Sequence, residues 1–128
     1  MNDIKDRMDK LEDIKIENFV WIIYIGIIFL SWYANSKEKK YLLYNDEQSK
    51  REYQNLLIII FSILVIVYYY FAKSSYDDYI DSVDENDDRK KNLHLASFIG
   101  SFLVLISGVI FLSIAIMDEN IDVELAFN

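Results

Sequence analysis

The stretch from Leu95 to Met117, LASFIGSFLVLISGVIFLSIAIM, contains no Asp, Glu, Lys or Arg. Wound as an α-helix at about 1.5 Å per residue, it reaches roughly 35 Å, enough to cross a hydrocarbon core of about 30 Å. Two more charge-free runs precede it, Phe19–Ala34 and Leu56–Ala72. These extend roughly 24 to 26 Å and cross with short extensions. A soluble helix of such length needs a polar face, and these runs lack one. The sequence therefore predicts an all-α polytopic membrane protein in one transmembrane domain. Its transmembrane helices cover 19–35, 55–73 and 94–117. An amphipathic N-terminal helix covers 1–17, and an extended acidic C-terminal tail covers 118–128.

Composition narrows the chemistry. A chain of 128 residues, about half of it apolar span, leaves no stretch for a separate soluble domain. There is no cysteine, so disulfides and thiolate metal sites are excluded, and the single histidine, His94, cannot build a His-based cluster. No metal, cofactor or catalytic residue is expected. The net charge of −8 argues against nucleic acid and against an anionic surface held by a basic field. A cleavable signal peptide is not expected. The segment before the first run is rich in acids, and Ser31-Trp32-Tyr33-Ala34 puts bulky side chains where cleavage needs small ones.

No proline occurs, and Gly26, Gly100 and Gly108 all fall inside apolar runs. The connections must turn on Asn, Asp and Ser. Asn45-Asp46-Glu47-Gln48 reads as a helix start, as do Ser75-Tyr76-Asp77-Asp78 and Asn86-Asp87-Asp88. In the N-terminal segment, Met1, Ile4, Met8 and Leu11 make a helical stripe that Ile14 and Ile16 extend less regularly. It suits an interfacial helix on the membrane or a short parallel coiled coil between subunits, and without a stop it can run into the first span. In the tail, Ile121, Val123, Leu125 and Phe127 alternate with Asp122, Glu124, Ala126 and Asn128. A period of two predicts an extended segment, either a frayed end or a peptide that docks on a partner.

Lys and Arg number eight on the side shared by the N-terminus and second loop, against five in the first loop and none in the tail. This predicts the N-terminus inside and the C-terminus outside. A bacterial cytoplasmic membrane is the expected location, because many small bacterial membrane proteins share this layout; the Ile, Lys, Asn, Asp and Tyr bias separately suggests an AT-rich genome.

The third run is the most differentiated. At 100° per residue, Ser97, Ser101, Gly108 and Ala115 share one face, Val104 and Phe111 complete the stripe, and Gly100 and Ser107 flank it. Small residues let helices approach closely in lipid. The stripe suits packing within a subunit, packing between subunits, or a hydroxyl-lined pore. Acids flank this helix, Asp84, Asp87 and Asp88 before it and Asp118, Glu119 and Asp122 after it. In an oligomer they would form rings at a pore mouth. The Asp-x-Asn-x-Asp strings at 84–88 and 118–122 fail as calcium loops, since Arg89 and Val123 stand where Gly is required. Trp21, Trp32, Tyr33, Tyr68, Tyr69 and Tyr70 are expected in interfacial belts, and the deeper Tyr24 is expected to hydrogen-bond within the bundle.

No ionisable side chain or broken helix lies near a midplane, against a transporter or proton pump. His94 and Ser97 alone make no catalytic site, so an enzyme is not expected. The leading expectation is a homo-oligomer that conducts cations, with helix three or helix one at its axis. The alternatives are a non-conducting accessory or scaffold subunit, recruiting a partner through its tail (Ile121–Asn128) or N-terminal helix, and a toxin-like or stress-response membrane effector.

Overall fold

In a computed structural model the chain forms three helices, α1 (Asn2–Tyr44), α2 (Glu47–Ser82) and α3 (Asp88–Met117). The structure describes residues 2–84 and 86–125. All three helices are long and apolar enough to cross a membrane.

The helices are longer than the apolar runs because little in the polar segments stops them. The first connection is only Asn45-Asp46. Asn45 takes the left-handed conformation (φ 54°), which Asn tolerates better than most residues, and its N–H donates to Tyr41 O at 2.7 Å to end α1. Asp46 then caps α2, its carboxylate accepting from Gln48 N at 3.1 Å and from Ser49 Oγ at 2.9 Å. Asp87 caps α3 in the same way, accepting from Arg89 N and Lys90 N. The start expected at Ser75 does not exist. Ser75 lies inside α2 and its hydroxyl is 3.2 Å from that of Ser101 on α3. Nor does a break separate 1–17 from the first span, for α1 is one unbroken helix.

α2 is the centre of the fold. It packs on both α1 and α3, while among the described residues α1 and α3 do not approach each other. Accordingly α2 carries buried Tyr53, Leu57, Ile60, Phe61, Leu64, Val67 and Ala72, whereas α3 buries only Gly108 and Ala115. On α1 the covered or half-covered positions are 16, 20, 23, 24, 27, 30, 31, 34, 37, 38 and 41, a stripe that repeats every seven residues as in antiparallel coiled-coil packing.

Contacts along the helices fix their level. Lys37 of α1 pairs with Glu52, and Asp13, Ile16 and Glu17 share a cleft with Phe71, Ser74 and Asp78. The first two apolar runs therefore lie side by side. α3 meets α2 through Gln54 at Ala115 and through Ser75 at Ser101. Its run overhangs that of α2, so His94 to Gly100, before Ser101, stand level with the residues after Ser75, about Tyr76 to Ser82. Counted between charges, the uncharged stretches 18–36 and 53–72 are about 28 to 30 Å long, the depth of a hydrocarbon core.

The tail does not extend away from the bundle. Glu119 N donates to Met117 O, and the Asp118 carboxylate accepts from Asp122 N at 3.1 Å and Val123 N at 2.8 Å. Leu125 is buried in the core cluster, with Ile121 packed against it. Residues 126–128 of the expected docking peptide lie outside the described residues.

Candidate functional site

Two features of the membrane-embedded region stand out, the seam between α2 and α3 and a groove along α1.

The seam uses part of the small-residue stripe. On α3 the covered or half-covered positions are 91, 94, 95, 98, 101, 105, 108, 111, 112, 114 and 115. Ser101, Gly108, Phe111 and Ala115 thus turn toward α2, whereas Ser97, Gly100, Val104 and Ser107 are exposed. The helices pack tightly at Gly108, where an added Cβ would stand 2.9 Å from Tyr68 Cδ2 and 3.4 Å from Val65 Cγ2. Phe111 packs tilted against Phe61, ring centroids 5.8 Å apart. The Ser107 hydroxyl donates to Leu103 O and the Ser113 hydroxyl to Val109 O, so each is partnered by its own helix.

Tyr68 therefore turns inward, toward α3. It is half-buried against Gly108 near the middle of the α3 run, while Trp21, Trp32, Tyr33, Tyr69 and Tyr70 are exposed on the outer surface. Tyr24 also departs from expectation. It packs edge-on to Trp21, with centroids 5.7 Å apart, and among the described residues it makes no hydrogen bond. Tyr24 and Tyr68 instead line a groove of about 650 Å³ with Ile27, Ile28, Ser31 and Leu64. Trp32 and Asn35 complete its lining, which is mostly apolar.

The two ends of the bundle differ. At the end holding the first connection and the tail, polar groups join the elements. Lys37 Nζ is 2.8 Å from Glu52 Oε2, Lys40 pairs with Asp46 at 3.7 Å, and Lys50 Nζ donates to Asn120 Oδ1 at 3.2 Å. The hydrogen bond between Lys37 and Glu52 holds the amine above and the carboxyl below their ordinary ranges. Gln54 Nε2 donates to the Ala115 carbonyl, one of the orphan acceptors at the end of α3.

At this end Asp118 works as a clasp. Backbone amides of Asp122 and Val123 hold its carboxyl below the ordinary 3.8. A depressed carboxyl stabilises the fold above its unfolded pKa, and that contribution disappears as pH falls through the folded value. The contribution of Asp118 to holding the tail is thus present at neutral pH and falls away below about pH 4. Asp118→Ala is expected to speed amide exchange at Asp122 and Val123 about tenfold at neutral pH, since each loses a charge-assisted acceptor. Unchanged exchange in a residue-resolved measurement would refute the clasp.

At the opposite end acids crowd. Burial pushes the Asp78 carboxyl up, His94 pulls it down, and Asp13, Asp81 and Asp77 push it further up. The acids expected at pore mouths divide by role. Asp87 and Asp118 are spent on backbone amides and Asp88 pairs with Lys91 at 3.8 Å, while Asp84, Glu119 and Asp122 are exposed. Among the described residues, no three His, Asp or Glu side chains are grouped to hold a metal ion.

The sequence did not single out Gln54 or Ser75 as the residues that fasten α3 to α2. Their signal was weak but present, since both are polar residues bordering an apolar run. Comparison of the chain with protein-family models, curated proteins and solved structures finds no match.

Proposed function

We propose that this membrane protein is a non-conducting scaffold or accessory subunit, without catalytic activity, that displays the N-terminal part of α1 beyond the bilayer. The observation that carries this reading is the unbroken course of α1 from Asn2 to Tyr44. With the first span beginning near Phe19, the residues before it project by up to about 24 Å. Along that length Ile4, Met8, Leu11 and Ile14 are exposed among charged neighbours. The excess of Lys and Arg on this side supports an inside location for the display segment.

Conduction is the competing reading, and one observation favours it. Ser97, Gly100, Val104 and Ser107 lie exposed on α3, available to line an axis between subunits. Against it, the Ser107 hydroxyl is already turned onto its own helix, and Ser101 and Gly108 are used inside the subunit. Purified protein in planar bilayers is expected to remain electrically silent across voltages. Reproducible unitary currents that Ser107→Leu abolishes would replace the scaffold reading with the pore.

A further inference from the structure

We propose that α1 pairs with α1 of a second copy of this chain in a parallel two-stranded coiled coil that runs from outside the membrane into it. Ile4, Met8, Leu11, Ile22, Ile25 and Phe29 follow a four-three alternation that continues through Lys15 and Asn18. Taking Met8 as position a puts Leu11 at d, Lys15 at a, Asn18 at d and Ile22 at a. The six apolar members are each between 54% and 65% exposed, and Lys15 and Asn18 are exposed as well. This face lies well round the helix from the positions covered by α2, which include 16, 20, 23, 24, 27, 30, 31 and 34.

Two observations point to a second copy as the cover. The first is that lipid cannot serve the whole face. Because α1 is unbroken, Ile4 stands roughly 20 Å beyond the start of the span, whereas an interfacial helix needs a break to lie flat. The second is charge complementarity. In this register Arg7 occupies g and Glu12 occupies e, so Arg7 of one copy faces Glu12 of the other, twice per dimer. The antiparallel arrangement pairs g with g and loses this match, and copies inserted with one topology are already parallel. Lys15 at a and Asn18 at d place polar layers at the membrane boundary, where each charge remains near headgroups and water. Such layers fix register and two-strandedness while lowering stability. The pairing is independent of whether the chain conducts.

The chain has no cysteine, so single cysteines report contacts directly in the full-length protein. In membranes, oxidative cross-linking of Met8→Cys and Leu11→Cys is expected to give dimers at least fourfold more efficiently than Lys10→Cys and Asp13→Cys. Arg7→Glu or Glu12→Arg alone is expected to lower the Leu11→Cys dimer by a similar factor, and the two together to restore it. Protease protection shows that each variant is inserted. Equal cross-linking at all four positions overturns the proposal. So do products whose mass is not twice the chain, which indicate a different protein on this face. A monomer whose Met8 and Leu11 positions react only with lipid-phase reagents overturns it in favour of lipid. Dimers through Ser97→Cys or Ser107→Cys, with none through α1, move the interface to α3.

Discussion

Gly108→Leu is expected to push α3 away from α2. Even the first carbon of a side chain there falls 2.9 Å from Tyr68 Cδ2 and 3.3 Å from Cε2, inside van der Waals contact. Those atoms belong to a ring near its attachment point, not to the tip of a flexible chain, and Val65 Cγ2 closes the other side at 3.4 Å. Either Tyr68 swings into the groove beside Tyr24 or the helices separate. Overpacking of this kind costs about 1–3 kcal/mol. A shift of 1–2 kcal/mol already changes a two-state ratio by a factor of about 5–30. The readout is an intramolecular cross-link between Ser75→Cys and Ser101→Cys, whose native oxygens are 3.2 Å apart. The link is expected to form readily in the parent and to drop at least about fivefold with Gly108→Leu, the lower end of that range. Gly100→Leu is the control, since nothing lies within 4 Å of a Cβ at that glycine. Equal loss in both variants would show that bulk on α3, and not the contact at Tyr68, is responsible.

Phe61→Ala is expected to be the most destabilising single truncation. Phe61 is 1% exposed, packs against Phe111, and belongs to the cluster that joins Ile27 and Ala34 of α1 to Ala115 of α3. Large-to-small changes at such sites cost about 3–5 kcal/mol in water-soluble cores. In a bilayer the separated helices keep their side chains in an apolar solvent, so the transfer part shrinks and the lost packing remains. About 2 kcal/mol is the resulting expectation, scaled down from the soluble case for that reason. A denaturant titration in mixed micelles checks it. Ile66→Ala, on a side chain 69% exposed, is expected to change stability by less than about 0.5 kcal/mol. If the two variants titrate alike, the cluster is not the centre of the fold.

The span count was legible because charge is prohibitive in hydrocarbon, so three uncharged runs leave little choice. The helix starts at 45–48 and 86–88 were legible because short polar side chains before a helical pattern favour capping, whereas which residue caps, Asp46 and Asp87, came from the structure. The rest required neighbours. Ser75 resembled a helix start, yet in the middle of a helix a serine meets no penalty when another helix offers a hydroxyl, as Ser101 does. In Tyr68-Tyr69-Tyr70 each ring is turned about 100° from the next, and only the position of α3 decides which one faces inward. The small residues of α3 were visible, but the seam also takes Phe98 and Leu105 and leaves Ser97 and Val104 outside. Small volume permits close approach, and helix placement decides which small residues make it, Gly108 and Ser101 but not Gly100 or Ser107. The alternation in the tail gave way to Asp118, whose two amide contacts curl the chain before a strand can form.

The two-residue connection at Asn45-Asp46 also has a mechanical side. It joins α1 and α2 at one extremity, next to the ion pairs of Lys37 and Lys40. Ile4 lies about 40 residues from that joint along an uninterrupted helix, a lever arm of about 60 Å. Each degree of rocking at the joint then carries Ile4 through about 1 Å, a geometric amplification fixed by that arm length.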